Sequence, residues 1–283
     1  MPRLAVAALT AACLAAACTS AGATNPASAA PSAGASTSGG PGGFYLRAWT
    51  TQALALQYTF GTLPIVTIAD GKFFDGMIAT PMVYPGPLYV GMSARTITPK
   101  GLDQITAEAR NDGLLNGGTT FGQFLPGGVT CHLAMTVAGV SYDLVGACPD
   151  NATAAAATPG TAAAFAAFWT KLQSLAVTWL ASELGESVPY TPDRLAVLAT
   201  PPTDAPSAPI QPTQAAWPLG AFASFGTAAG SEDVRCATLS GSDLSTLLPV
   251  VQNANQLTRF VDGKGVLKSL QVRVLVPGEP APC

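Results

Sequence analysis

The sequence predicts an α+β protein of antiparallel β-hairpins packed by two or three helices. Its two lobes are joined by a proline-rich connector. Three observations carry this reading. Apolar segments with period-two alternation are bounded by Asp-Gly and Gly-Pro turn residues. Two stretches place apolar side chains three and four residues apart, as helices do. Four late cysteines are spaced to staple the hairpins and the chain end.

The first lobe, residues 44–199, opens on strand-like segments at 44–49 and 56–60. Residues 64–74 form a hairpin around Asp70-Gly71, a pair that tolerates the positive φ angles of a tight turn. The Tyr84-Pro-Gly-Pro87 turn leads into a strand over 88–98. Pro99 suits the first turn of a helix, Leu102, Ile105 and Ala109 share one face, and Gly113 ends it.

Residues 130–148 read as a hairpin. With Gly139-Val140 as its two-residue turn, Cys131 faces Cys148, Met135 faces Leu144 and Val137 faces Tyr142. That register predicts a Cys131–Cys148 disulfide, and adding or losing one turn residue would shift it. A long helix follows over 160–184, with Phe165, Phe168, Trp169, Leu172, Leu175 and Trp179 on one stripe that serves as core.

Residues 200–216 form the connector, with prolines at 201, 202, 206, 209 and 212. The second lobe, 217–283, carries a strand at 234–239 and a helix from Ser242 that Pro249 must kink or divide. A hairpin turning at Asp262-Gly263 completes it. Cys236 and Cys283 remain to pair, pinning the terminus to the lobe's first strand. Both lobes show the order strand, helix, hairpin, at 88–148 and 234–276, which raises the hypothesis of a duplication.

The N-terminus supplies an address. One arginine is followed by an apolar or small run over 4–17 and then Cys18, the form of an export signal. The run is shorter than the ~20 apolar residues that span a bilayer. Leu14-Ala15-Ala16-Ala17-Cys18 resembles the bacterial lipobox, with Ala15 departing from the usual leucine. The expectation is a signal peptide over 1–17, cleavage between Ala17 and Cys18, and a diacylglyceryl group on Cys18. The protein would then face the extracytoplasmic space, held to the cell membrane by its lipid. Six cysteines occur; losing Cys13 and lipidating Cys18 leaves an even four in a disulfide-permissive compartment. The rest of the 18–43 segment holds only Ala, Ser, Thr, Gly, Pro and Asn25, too little apolar bulk to fold, so it is expected to act as a tether.

Charged residues make up 10% of the chain, against a usual quarter, and the net charge is −3. A sparse, mildly acidic charge excludes the basic footprint that nucleic acid requires. A single histidine excludes multi-histidine zinc and iron sites, and the cysteines lack Cys-x-x-Cys spacing. No phosphate loop, dinucleotide fingerprint or serine elbow occurs; Phe222-Ala-Ser224-Phe-Gly226 lacks the elbow's first glycine. No catalytic residue, cofactor or metal is therefore assigned. His132 is the one weak candidate: the register above sets it on one sheet surface with Asp143, about two cross-strand pairs apart. Asp70, Asp75 and Asp262 sit in turn contexts, and Asn151-Ala-Thr153 matches a glycosylation acceptor.

The Asp70-Gly71 hairpin, the Leu102 helix ending near Gly113, the Cys131 hairpin and the Cys236-to-Cys283 tail resemble actinobacterial exported lipoproteins of uncharacterised activity. The resemblance implies a host group and an address, and no catalytic residue. The leading expectation is a non-enzymatic cell-envelope binding module engaging a protein partner. The alternatives are a carrier of lipid or a small apolar ligand, motivated by low charge, and a hydrolase using His132.

Overall fold

The computed structural model describes residues 43–52, 54, 56–76, 84–122, 128–149, 158–202 and 211–283. The signal segment with Ala17 and Cys18, the tether up to residue 42, and the acceptor at Asn151 lie outside the described residues. The chain is α+β. Its first half contains β1 (Tyr45–Thr51), the one-turn helix α1 (Leu56–Thr59), β2 (Val66–Ala69), β3 (Lys72–Asp75), β4 (Met92–Thr96), α2 (Pro99–Asn111), β5 (Thr120–Phe121), β6 (Thr130–Val137) and β7 (Val140–Ala147). Then come α3 (Ala162–Gln173), β8 (Val188–Tyr190), β9 (Arg194–Thr200), β10 (Gln214–Ala216), β11 (Thr227–Ala229), β12 (Ser231–Ser240), α4 (Gly241–Gln252), β13 (Arg259–Val261) and β14 (Leu267–Leu275).

Two sheets result. The first has the order β5-β7-β6-β1-β2-β3-β4-β8, and the second β10-β13-β14-β9-β12-β11. Pairing is antiparallel except for β5 on β7 and β10 on β13. Helices α2 and α3 cover one face of the first sheet: Ile105, Ala109, Phe165, Phe168 and Trp169 pack with Leu46, Ile68, Leu133 and Met135. Each of the leucine, isoleucine, phenylalanine and methionine side chains among them gains roughly 1.5–3 kcal/mol from full burial before chain entropy is charged against it. Phe74, Met92 and Ala94 leave the first sheet to share a second core with β9, β14, α4 and the Trp217–Phe222–Phe225 cluster.

Helix α2 begins and ends as its sequence dictates. The Thr98 side chain accepts the Gly101 N–H at 3.1 Å as N-cap. At the other end Gly113 adopts φ +70°, and the Leu114 N–H returns to the Ala109 carbonyl at 2.9 Å. The Asp70-Gly71 turn also forms as expected, with φ of 52° and 70°.

Several expectations require correction. Residues 56–60 are a helical turn, closed by Phe60 N–H donating to Leu56 C=O at 2.7 Å, because Phe60 turns inward against Leu198, Cys236 and Leu275. The long helix stops at Gln173 and continues as a π-helical turn, Leu175–Trp179, and a 3-10 turn, Ala181–Glu183. The Leu180 N–H reaches the Leu175 carbonyl at 2.9 Å, a five-residue step that buries both leucines. The β6–β7 turn is Ala138-Gly139, with φ of 49° and 80°, one residue earlier than expected. Cys131 consequently faces Gly146, Met135 faces Tyr142 and Val137 faces Val140. The Cys131–Cys148 bond forms nonetheless, with the two Cα atoms 5.0 Å apart, because Cys148 follows directly on the end of β7. Cys236–Cys283 also forms as expected.

Residues 194–199, assigned to the first lobe from sequence, form with Thr200 the strand β9, a central strand of the second sheet; the first sheet ends with β8 at Tyr190. The connector contributes β10, and α4 runs through Pro249 without interruption. The last hairpin turns over five residues, 262–266, rather than two. Duplication fails on strand order. One strand, β9, separates β12 from the hairpin that follows α4, whereas three separate β4 from the β6–β7 hairpin.

Candidate functional site

Along β1 the pleat sends Leu46 and Ala48 into the helix-covered core and Tyr45, Arg47, Trp49 and Thr51 to the opposite face. His132 lies on β6 directly across from Trp49. The two rings stack with centroids 5.1 Å apart and planes 14° from parallel. The Arg47 guanidinium carbon lies 4.3 Å from the Trp49 ring centroid. Thr51 Oγ1 and His132 Nε2 are 2.7 Å apart.

The second sheet brings its own charges to this face. Arg273, on β14, donates from Nη1 to Glu279 Oε1 at 2.7 Å and to the Thr62 carbonyl at 3.2 Å. Arg47 Nη2 donates to the same Glu279 oxygen at 3.1 Å. The other carboxylate oxygen accepts the Val276 N–H at 3.3 Å. Arg194 Nη2 adds bonds to the carbonyls of Val276 and Glu279, and Tyr45 Oη donates to the Gly278 carbonyl. The 276–279 turn is thus gripped by side chains from β1, β9 and β14. All three charged members are secluded: Arg47, Arg273 and Glu279 are 9%, 7% and 2% exposed.

Two guanidiniums against one carboxylate leave a positive excess in a poorly solvated place. Burial lowers the pKa of Arg47 from its usual value, while Glu279 works to restore it. The Nε atoms of both Arg47 and Arg273 are buried with no hydrogen-bond partner among the described residues. Burial also drives Tyr45 up to about 12. His132 is pushed below the usual histidine value, chiefly by burial and then by the charge of Arg47.

Beside this cluster opens a cleft of about 190 Å³. Arg47, Trp49, Thr51, Gln52, Thr59 and Arg273 are among its walls. A second cleft of about 570 Å³ shares Arg273 and is lined mainly by Leu63, Pro87, Leu88, Val90 and Leu270.

His132 is therefore placed differently from its sequence register. It pairs with Val145, and Asp143 pairs with Ala134. Its ring meets a hydroxyl and an indole, and among the described residues it has no hydrogen bond to a carboxylate that would support an imidazolium. Asp262 is a turn residue, as expected. Its carboxylate accepts the N–H groups of Phe222, Lys264 and Val266, which hold it below the usual carboxylate range. Among the described residues no cluster of three or more metal-ligating side chains occurs, and no helix is long and apolar enough to cross a membrane.

Arg47, Arg273 and Glu279 escape sequence reading because they are isolated charges, and Arg47 lies 232 residues from Glu279. The available signal is faint: a lone Glu within Val276-Pro-Gly-Glu-Pro-Ala-Pro-Cys283, in a chain with few charges. Comparison with protein-family models, with curated proteins and with solved structures yields no match.

Proposed function

We propose that this protein is an exported, lipid-anchored binding module of the cell envelope, and that it holds its ligand in the cleft beside Arg47, Trp49 and Arg273. The observation that carries this reading is the partly compensated Arg47–Glu279–Arg273 cluster at the wall of a small cleft. Buried charge is costly unless it is paired, and it is retained where something is gained by having it. The aromatic neighbour, the hydroxyls and the stacked His132 ring fit recognition of a small molecule. The alternative of an apolar-ligand carrier draws support from the larger, mostly aliphatic cleft around Leu63 and Leu88.

Two measurements test the proposal. Mass spectrometry of the mature N-terminus is expected to find a diacylglyceryl adduct on Cys18, and Cys18→Ala should move the protein from the membrane to the soluble fraction. An unchanged membrane fraction would overturn the anchor. Native mass spectrometry of protein purified from its host membrane should detect a bound small molecule that Trp49→Ala releases. An adduct insensitive to Trp49→Ala, or none at all, would remove the cleft from the proposal.

A further inference from the structure

We infer that the cleft beside Arg47, Trp49 and Arg273 selects a small organic carboxylate about the size of one six-membered ring. The inference rests on the binding reading above and narrows it to a class of ligand. Charge gives the first argument. Both guanidiniums converge on one oxygen, Glu279 Oε1, at 3.1 and 2.7 Å, and among the described residues neither forms an ion pair with a second acid. Arg194 spends its bonds on backbone carbonyls and adds a further positive charge nearby. Asp143, whose field reaches Tyr45 together with the stronger one of Glu279, lies outside the cleft wall. The three arginines outnumber Glu279 by two charges, so a ligand carrying one negative charge would lessen the excess, and planar guanidinium matches planar carboxylate better than it matches a spherical anion.

Size and lining give the second argument. The cleft measures about 190 Å³, and a cavity of about 150 Å³ accepts benzene. Leu56, Phe60 and the Trp49 indole supply apolar wall, which an inorganic anion would leave unused. Gln52, Thr51 and Thr59 ring that wall with amide and hydroxyl groups that orient a polar substituent. The combination favours a ring bearing an acid over either a bare anion or a neutral hydrocarbon.

The test uses the mature protein with two probes of nearly equal shape, benzoate and benzyl alcohol, followed by calorimetry and by thermal shift. Benzoate is expected to bind about tenfold more tightly than benzyl alcohol, and added NaCl should erode that preference. Gln52 is exposed at the end of β1, so Gln52→Glu adds repulsion without touching the core; it should cut the benzoate preference about fivefold. Circular dichroism of the variant verifies its fold. Equal affinity for the two probes, binding of neither, or a preference unchanged by Gln52→Glu would each overturn the carboxylate assignment. A host-derived adduct released by Trp49→Ala would, in those cases, still uphold the binding reading itself.

Discussion

Glu279 ties the two sheets together through charge. Its carboxylate takes Arg47 from β1, Arg273 from β14 and the Val276 N–H from its own turn. Removing one partner of a buried ion cluster leaves charge with neither water nor counter-ion. Glu279→Ala is therefore expected to cost about 3–5 kcal/mol, measured as the loss of unfolding free energy in urea. A loss under about 1 kcal/mol, the range of surface pairs, would show that the cluster is solvated in solution. His132 shows how far a residue's identity can mislead. As the chain's one histidine it draws attention from sequence, yet it sits against Trp49 and Thr51 with its basicity lowered. Arg47, which draws none, contacts both the Trp49 ring and Glu279.

At the scale of elements, local chemistry places the hairpins and helices and packing sets their registers. Alternation makes β6 and β7 legible, and both disulfides follow from the positions of the cysteines. The register shifts because Ala138 adopts φ 49° beside Gly139, a conformation costly for alanine that composition does not announce. With the turn there, Gly146 lies opposite Cys131, directly under Phe165 of α3. A Cβ at Gly146 would come within 2.3 Å of the Phe165 ring. Gly146→Ala should accordingly destabilise the protein by about 1–3 kcal/mol through overpacking, read from its urea midpoint. Pairing it with Phe165→Leu should recover part of that loss, and strict additivity in the double mutant would refute the contact. The π-helical turn after α3 has a similar origin: the aromatic stripe predicts a helix, while burial of both Leu175 and Leu180 dictates the wider step.

Across the whole molecule, the C-terminal tail acts as a clasp. It leaves β14 in the second sheet, turns at 276–279 among three arginines, and ends in a disulfide to Cys236 on β12. That bond closes a separation of 47 residues, worth about 4 kcal/mol if its effect is chiefly on the entropy of the unfolded chain. Replacing Cys236 and Cys283 together with serine should lower stability by roughly that amount. It should also expose the tail to limited proteolysis, while the first sheet retains its Cys131–Cys148 bond. Unaltered proteolysis of the tail would mean that the arginine grip alone suffices. The assignment of β9 to the second sheet belongs to this scale too. Its apolar sequence, Leu195 to Ala199, suits a central strand of either sheet, and its position between β12 and β14 is a matter of long-range pairing.

The sequence by itself determined the α+β class, the start of α2 at Pro99 and its end at Gly113, the Asp70-Gly71 turn, the helical stripe of α3 and the two cysteine pairs. Each of these depends on interactions between residues close in the chain, or on a cysteine count that admits few pairings. Tertiary structure decided the β6–β7 register, the sheet to which β9 belongs, the helical turn at 56–59 and the cluster at Glu279. These depend on which distant side chains share a desolvated space. The energy of a buried charge or a packed ring is set by neighbours hundreds of residues away, and no local periodicity carries that information.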